Sequence, residues 1–200
     1  MAEIITLFPN VIYKHKLENY QTHKDTYIPK LIEQFKDNPN QKAHWADLCN
    51  TWQESGQTDM GIIHRDLIPH IHSWLDEFNY PPFDYQFVSW FNVHTWDMYQ
   101  EYHNHLGGPV VLCGIYYLQI SDKDHPVLFV SRDETYSSHI SNIGLTPQHH
   151  YFQNNSKGAF NIEEGDLLLF TPDAQHLVPK AKEKHDGYRI TFSFNIERTG

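Results

Sequence analysis

The chain has 200 residues, of which 40% are hydrophobic and 14% aromatic, and it carries a formal net charge of −10. This size and composition are typical of one soluble globular domain, and the negative charge argues against binding to the phosphate backbone of nucleic acids. No stretch reaches the roughly 18 apolar residues of a membrane-spanning helix, and the N-terminus lacks the features of a signal peptide. We therefore expect a cytoplasmic protein without a nucleic-acid or membrane partner, in which Cys49 and Cys113 are free thiols; a single disulfide between them is the alternative.

The N-terminal third predicts one strand and two helices. The segment ITLFPNVIYKHKL (5–17) is typical of a strand that Pro9 interrupts, and KDTYIPKLIEQFKD (24–37) predicts a helix with a proline near its start. In DMGIIHRDLIPHIHSWLDEFNY (59–80) apolar residues recur every four positions, which is the period of an amphipathic helix.

His70 and His72 lie on this second predicted helix and form a His-x-His pair. Residues two apart on a helix point about 200° away from each other, so the two imidazoles cannot converge on one ion. We therefore expect a structural role for both.

From residue 85 the pattern changes to short apolar strands separated by turns rich in Gly, Pro, Asp and Asn, which predicts a mainly β sandwich or barrel preceded by helices. The polar segment 138–163 is expected to be a long loop of the kind that covers a binding site. The predicted strands are 85–96, 110–120, 125–131, 165–172, 176–181 and 188–197.

A second His-x-His pair, His103 and His105, closes the segment MYQEYHNH just before an apolar strand. In a chain with 15 histidines such a pair arises by chance, so the spacing alone proves little. If the segment is extended, Glu101, His103 and His105 project from one side of it. Imidazoles are ligands for iron, zinc, copper and nickel, and such a pair requires a third ligand from elsewhere in the fold.

His176 is a candidate for that ligand. It follows EEGDLLLFTPDAQ, in which a glycine turn leads into an apolar strand and a Pro-Asp turn precedes the histidine. Taken by itself, His176 is equally well explained as a surface histidine beside a turn. Its position after the pair favours a metal site.

The last predicted strand has one polar and one apolar face. If KEKHDG (182–187) is a hairpin turn, antiparallel pairing places Arg189 about 10 Å from His176. A guanidinium binds a carboxylate in a bidentate manner, so a small dicarboxylate would fit between them. The alternative is an edge strand with its polar row in solvent. The polar residues are Arg189, Thr191, Ser193 and Asn195, and the apolar ones are Ile190, Phe192, Phe194 and Ile196.

The order of these motifs resembles that of the 2-oxoglutarate- and iron(II)-dependent dioxygenases of the prolyl-hydroxylase-like branch. Where that branch has His-x-Asp, a strand ending in Tyr-Tyr-Leu, a Gly-Asp-Leu segment before a histidine, and an arginine strand, this chain has HNH, CGIYYL, EEGDLLLFTPDAQH and RITFSFN. It is most similar to a group from bacterial viruses and marine bacteria that has His-x-His and an N-terminal LFP strand. A viral member would lie in the host cytoplasm.

The resemblance spans most of the chain and is sharpest over residues 88–196. It implies a double-stranded β-helix, the jelly-roll fold shared with cupins, over residues 85–197. Residues 1–84 would support it with helices and a strand, and the whole chain (1–200) would be a single domain. It also implies Fe(II) as the metal and 2-oxoglutarate as co-substrate.

The same resemblance implies roles for individual residues. His103 and His176 would bind Fe(II), and Arg189 would pair with the distal carboxylate of 2-oxoglutarate. Tyr117 falls where prolyl hydroxylases use a strand tyrosine for that carboxylate, although core packing explains it as well. Ser193 lies where a hydroxyl contact to the co-substrate is expected.

His105 departs from the branch, because most relatives have a carboxylate at this position. Either His105 binds iron as a third imidazole, which we favour, or Glu101 supplies the carboxylate of the usual two-histidine, one-carboxylate site. The implied reaction hydroxylates a peptidyl or small-molecule substrate and releases succinate and CO2. The alternatives are a three-histidine, cupin-like metalloprotein that does not use 2-oxoglutarate, and a non-catalytic β-sandwich module. Oligomeric state does not follow from the sequence.

Overall fold

The computed structural model describes residues 11–41, 43, 50–130 and 161–200. The predicted mainly β chain with N-terminal helices is confirmed, since strands dominate and both helices precede residue 85 in this described part. In chain order the elements are β1 (Ile12–Lys16), α1 (Tyr20–Asp37), β2 (Trp52–Glu54), α2 (Gly61–Glu77), β3 (Tyr85–His94), β4 (Gln100–His103), β5 (Val110–Gln119), β6 (Leu128–Phe129), β7 (Asp166–Phe170), β8 (His176–Val178) and β9 (Arg189–Arg198).

The strands form two antiparallel sheets. The major sheet has the order β1-β7-β5-β9-β3-β2, and the minor sheet has the order β4-β8-β6. Strand β9 lies inside the major sheet, where it pairs along its length with β3 on one side and β5 on the other. Its polar face is therefore not the solvent-facing row of an edge strand.

The predicted hairpin between the strands of His176 and Arg189 is wrong. Strand β8 pairs with β4 and β6 in the minor sheet, whereas β9 pairs with β3 and β5 in the major sheet. Residues 182–187 belong to a connection that crosses from one sheet to the other. The separation of about 10 Å between His176 and Arg189 was expected from that pairing, so it no longer follows. Both side chains nevertheless line one cavity.

The major sheet buries both of its faces. On the outer face, Phe192 and Phe194 of β9 belong to one apolar cluster with Leu31 of α1 and Ile63 of α2, and all four are fully buried. On the inner face, Ile115 and Tyr117 of β5 belong to a second cluster that includes Phe129 of β6, in the minor sheet. The alternation predicted for β5 and β9 thus divides a helix-facing core from an inner, site-bearing face.

Helix α1 begins at Tyr20, four residues before the predicted start. Pro29 consequently lies in the interior of the helix, so its predicted place near the start is wrong. The helix is held by its packed face rather than by propensity, because the residues it buries recur every four positions. They are His23, Tyr27, Leu31 and Phe35.

Helix α2 follows the predicted period, with Ile63, Leu67 and Ile71 fully buried. Leu75, the next residue of this period, is only half-buried, and Trp74 is buried in its place. The histidines of this helix bond to different partners, as the structural interpretation requires. His70 Nδ1 lies 2.9 Å from the Tyr13 hydroxyl, and His72 Nε2 lies 3.0 Å from the Tyr85 hydroxyl.

Each of the six predicted C-terminal segments contains a strand, although the segment 125–131 has only the two residues of β6. The sequence did not predict β2, which has three residues. The Pro9 interruption, Cys49 and nearly all of the predicted loop 138–163 lie outside the described residues. Cys113 is a buried free thiol, and burial raises its pKa.

No helix in the described ranges is long and apolar enough to cross a bilayer. The N-terminal strands β1 and β2 occupy the two ends of the major sheet.

The proposed division at residue 85 within a single domain stays a prediction.

Candidate active site

Two of the predicted ligands are cross-strand neighbours in the minor sheet. His103 of β4 is paired directly with His176 of β8, and their ring centroids are 4.2 Å apart. Opposite residues of an antiparallel pair bring their side chains to the same face, so the pairing itself brings these imidazoles together.

His105 joins them from the segment that follows β4. Its backbone N–H donates to the Pro172 carbonyl at 2.8 Å, so the Pro-Asp turn before β8 positions it. Its ring centroid lies 5.3 Å from that of His103 and 5.2 Å from that of His176. Each of the three histidines offers one nitrogen within 4.8 Å of the others, and the described part of the chain contains no second cluster of this kind.

The hydrogen bonds of the three rings assign the same tautomer to each. Nδ1 of His103 lies 2.8 Å from the Glu101 carbonyl, and Nδ1 of His176 lies 2.8 Å from the Ala174 carbonyl. Nδ1 of His105 lies 2.6 Å from the amide oxygen of Asn195. A carbonyl oxygen only accepts, so every Nδ1 carries the proton and every Nε2 keeps its lone pair, as a metal ligand requires.

Burial keeps these imidazoles neutral. It lowers the pKa of His103, and it lowers the pKa of His105 to about 4 and that of His176 to about 3. All three therefore have a free lone pair near neutral pH, and the donor set fits a divalent metal such as Fe(II).

The alternative ligand, Glu101, is not part of this cluster. A register shift between Gln100 and His103 breaks the regular alternation on which the shared face of Glu101 and His103 depended. The amide Nε2 of Gln100, rather than the carboxylate of Glu101, lies 3.1 Å from His103 Nε2. One carboxylate oxygen of Glu101 is buried without a hydrogen-bond partner.

The three histidines and Arg189 line the same cavity. Arg189 is buried, and its guanidinium donates to the carbonyls of His125 and Pro179 and to Nδ1 of His94. It forms no ion pair with a carboxylate in the described ranges. Burial lowers its pKa to about 10, so it remains a cation at neutral pH, and an anion in this cavity would neutralise it.

His94 holds this arginine on a rigid strand. Its Nδ1 accepts from Arg189, and its Nε2 donates to the Thr51 hydroxyl at 3.1 Å. Burial, and then the charge of Arg189, lower the pKa of His94 well below its usual value, which keeps its acceptor nitrogen free.

The other two predicted co-substrate residues line the same cavity. The Tyr117 hydroxyl accepts a hydrogen bond from the Val127 N–H at 2.9 Å, which leaves its own proton free to be donated. Burial raises the pKa of Tyr117 to about 12, so the phenol stays protonated. The Ser193 hydroxyl accepts from the Asn92 amide at 3.0 Å.

A second cavity of about 490 Å³ shares part of its lining with the first. His103, His105 and Trp90 line both cavities, and Asn195 and Leu106 line this second one. The indole N–H of Trp90 is buried and has no hydrogen-bond partner among the described residues. We call this second cavity the groove.

Several residues of the site were not predicted from the sequence. His94, Asn92 and Trp90 project from β3 toward the cavity, and their alternation with Phe91 and Val93 was the available signal. Asn195 was placed on the correct face of β9, but its bond to His105 joins residues 90 positions apart, which no local pattern reveals.

A family model described as "Putative 2OG-Fe(II) oxygenase" matches residues 88–195, which is more than half of the chain. The chain belongs to the 2-oxoglutarate- and iron(II)-dependent oxygenases. The predicted superfamily and the cofactors Fe(II) and 2-oxoglutarate are thereby confirmed, whereas the prolyl-hydroxylase-like branch stays a prediction. This oxygenase is an enzyme and not the non-catalytic module kept as an alternative. A comparison with curated proteins found no match.

Solved structures similar to this oxygenase confirm the double-stranded β-helix. A Pseudomonas putida prolyl-4-hydroxylase has a TM-score of 0.61 at 10% identity over 96% of this chain and 94% of its own. The viral collagen prolyl hydroxylase of Paramecium bursaria chlorella virus-1, in a 2-oxoglutarate complex, has a TM-score of 0.57 at 12% identity over 94% and 96%. HygX from Streptomyces hygroscopicus, with nickel and 2-oxoglutarate bound, has a TM-score of 0.55 at 11% identity over 95% and 83%.

Proposed function

We propose that this oxygenase hydroxylates a peptidyl or small-molecule substrate, with Fe(II) held by His103, His105 and His176. One observation carries the proposal: three imidazoles present Nε2 lone pairs in a cavity that is also lined by a buried arginine, which forms no ion pair with a carboxylate of the described residues. One O2 and one 2-oxoglutarate would be consumed, giving hydroxylated substrate, succinate and CO2. Bound Fe(II) would supply the activation of oxygen.

The protein side of this chemistry is positioning. The rigid fork of Arg189 would bind the distal carboxylate of 2-oxoglutarate, and the hydroxyls of Tyr117 and Ser193 would donate to the same end of the co-substrate. Both hydroxyls already accept a bond, from Val127 and Asn92 respectively, so each has its proton available for a ligand. The keto-acid end would then lie toward the histidines.

The groove is the proposed substrate side. It is lined by His103 and His105 but not by Arg189, and Trp90 lines both it and the co-substrate cavity. The Trp90 N–H is a buried donor in need of an acceptor, such as a carbonyl of the substrate. Similar solved structures include a prolyl hydroxylase in complex with a peptide and a carbocyclase of nogalamycin biosynthesis, which supports keeping both substrate classes in the proposal.

Anaerobic titration tests the metal and co-substrate site. Fe(II) added to the purified protein with 2-oxoglutarate should produce a weak visible metal-to-ligand charge-transfer band. The single variants His103→Ala, His105→Ala and His176→Ala should each abolish the band, because each removes a ligand. Glu101→Ala is the matched control and should retain it.

The variants also separate the alternatives. Loss of the band in Glu101→Ala with retention in His105→Ala would assign the third ligand to the carboxylate. A well-folded wild type that binds Fe(II) but gives no band with 2-oxoglutarate would contradict the proposal and favour the cupin-like alternative.

A further inference from the structure

We propose that Asn195 is a positioning residue that fixes the tautomer and orientation of His105 so that its Nε2 faces Fe(II). The inference rests on the proposed function, because it takes His105 as a metal ligand. It extends that proposal to a residue outside the ligand set.

The contact is short and lies on a rigid support. The amide oxygen of Asn195 is 2.6 Å from Nδ1 of His105, and both residues are at least half-buried. Asn195 belongs to β9, where its backbone is paired with Val88 of β3 and Cys113 of β5. A strand with partners on both sides does not shift easily, so the amide is a fixed acceptor.

His105 needs this support more than the other two histidines do. His103 and His176 lie on paired strands and donate Nδ1–H to main-chain carbonyls, which no substitution removes. His105 lies beyond the end of β4, and the partner of its Nδ1 is a side chain. The orientation of His105, a proposed metal ligand, therefore depends on a side chain that a substitution can remove, namely that of Asn195.

The chemistry of the acceptor predicts how each substitution of Asn195 changes the His105 tautomer and the metal affinity. Leucine has nearly the shape of asparagine but offers no acceptor, so His105 would lose the bond that selects its Nδ1–H form. Aspartate keeps an acceptor in the same place and adds a charge that makes the imidazole a stronger donor to a metal. Loss of such an outer partner typically weakens metal affinity about 10- to 100-fold.

The first measurement uses the metal-free protein. Long-range ¹H–¹⁵N NMR spectra of the histidine rings distinguish the Nδ1–H form from the Nε2–H form. His105 should be in the Nδ1–H form in the wild type and in Asn195→Asp, and should populate the Nε2–H form in Asn195→Leu. An Nε2–H form of His105 in the wild type would overturn the inference.

The second measurement is Co(II) affinity without 2-oxoglutarate, followed by the visible absorption of the bound ion. Asn195→Leu should bind Co(II) about 10- to 100-fold more weakly than the wild type, whereas Asn195→Asp should bind at least as tightly. Gln119→Leu is the matched control, since it removes a half-buried amide of the adjacent strand β5 that donates to the Tyr188 carbonyl instead of a histidine. Its Co(II) affinity and His105 tautomer should be unchanged.

The outcomes distinguish this inference from the proposed function. If His105→Ala binds Co(II) weakly but Asn195→Leu binds like the wild type, His105 is a ligand and the role of Asn195 is wrong. If His105→Ala binds as tightly as the wild type, the ligand set itself is wrong, and the inference fails with it. Equal weakening in Asn195→Leu and Gln119→Leu would indicate general damage to the sheet and would also overturn the inference.

Discussion

Arg189 is a buried cation whose hydrogen-bond partners in the described structure are all neutral. Two main-chain carbonyls and an imidazole solvate the guanidinium, but none of them balances its charge. Burying a charge costs several kcal/mol per ion, and Asp124, the carboxylate whose charge favours the cation, forms no ion pair with it among the described residues, so an anionic ligand would stabilise the arginine. The dicarboxylate co-substrate is that ligand in the proposed function.

We expect Arg189→Met to weaken 2-oxoglutarate binding about 30-fold or more, because truncating one partner of a buried charge pair costs roughly 2–5 kcal/mol. Co(II) affinity should stay near the wild-type value, since the guanidinium bonds to His94, His125 and Pro179 and to none of the three clustered histidines. Anaerobic calorimetry of 2-oxoglutarate binding to the Co(II)-loaded protein measures both effects.

Arg198→Met is the control for this experiment, because Arg198 is an exposed arginine at the end of the same strand. It should leave both affinities unchanged. Unaltered 2-oxoglutarate affinity in Arg189→Met would contradict the proposed role of this arginine.

Part of the site was predictable because strand alternation is a local rule. Arg189 and Ser193 were assigned to one face of β9 from sequence, and both line the cavity. The partners of these side chains were not predictable. His94 meets Arg189 across 95 positions of sequence, and such a contact depends on the order of strands in the sheet, which alternation does not encode.

Strands β5 and β9 are antiparallel neighbours, and one of their paired positions is a glycine, which has no side chain. Gly114 is paired with Phe194, and a Cβ at Gly114 would lie 2.2 Å from the ring of that phenylalanine. Phe194 is fully buried and packs against Phe87 and Phe192, so its ring has no space into which to move. The glycine therefore allows the aromatic core to approach the central strands.

We expect Gly114→Ala to lower the free energy of unfolding by about 1–3 kcal/mol, as overpacked core substitutions do. Urea unfolding of the metal-free protein, followed by far-UV circular dichroism, measures the change. The reason is steric and not conformational, because the backbone at Gly114 has no positive φ.

Gly56→Ala is the matched control. No atom lies within 4 Å of a Cβ built at Gly56, and its φ is not positive. Its unfolding midpoint should remain close to that of the wild type. An equal loss of stability in both variants would contradict the proposed clash.

The wrong hairpin shows why element order is harder to derive than element type. The turn-like residues 182–187 and the two flanking strands fit a hairpin locally. Strand β9, however, pairs on both sides within the major sheet, which satisfies the backbone hydrogen bonds along both of its edges. At the edge of the minor sheet one of these rows of backbone groups would be unpaired. The choice between these arrangements depends on β3 and β5, which are distant in sequence.

Many imidazoles in this molecule are buried and neutral. Burial is the main cause of the lowered pKa at His64, His70, His94, His103, His105 and His176. Each regains an ordinary pKa near 6.5 when the chain unfolds, so the unfolded state binds more protons than the folded state below that pH.

The metal-free protein should therefore lose stability as the pH falls from about 7.5 to 5, where the unfolded histidines become charged and the folded ones do not. For His105, whose folded pKa is about 4, the shift corresponds to an upper limit of about 3 kcal/mol. Urea unfolding in EDTA at several pH values measures the slope. In His105→Gln the slope should be shallower, and an identical slope would contradict this origin of the pH dependence.

Strand β9 also has a consequence for the choice of co-substrate. Its inward row runs from Arg189 through Thr191 and Ser193 to Asn195, and β3 and β5 hold it on both sides. Backbone rise, at roughly 3.3 Å per residue, thus fixes the separation between the anion-binding end and the support of the third histidine. In the proposed function this fixed separation sets the length of the co-substrate, so a keto diacid one carbon shorter or longer than 2-oxoglutarate would not reach Arg189 and the metal-binding histidines together.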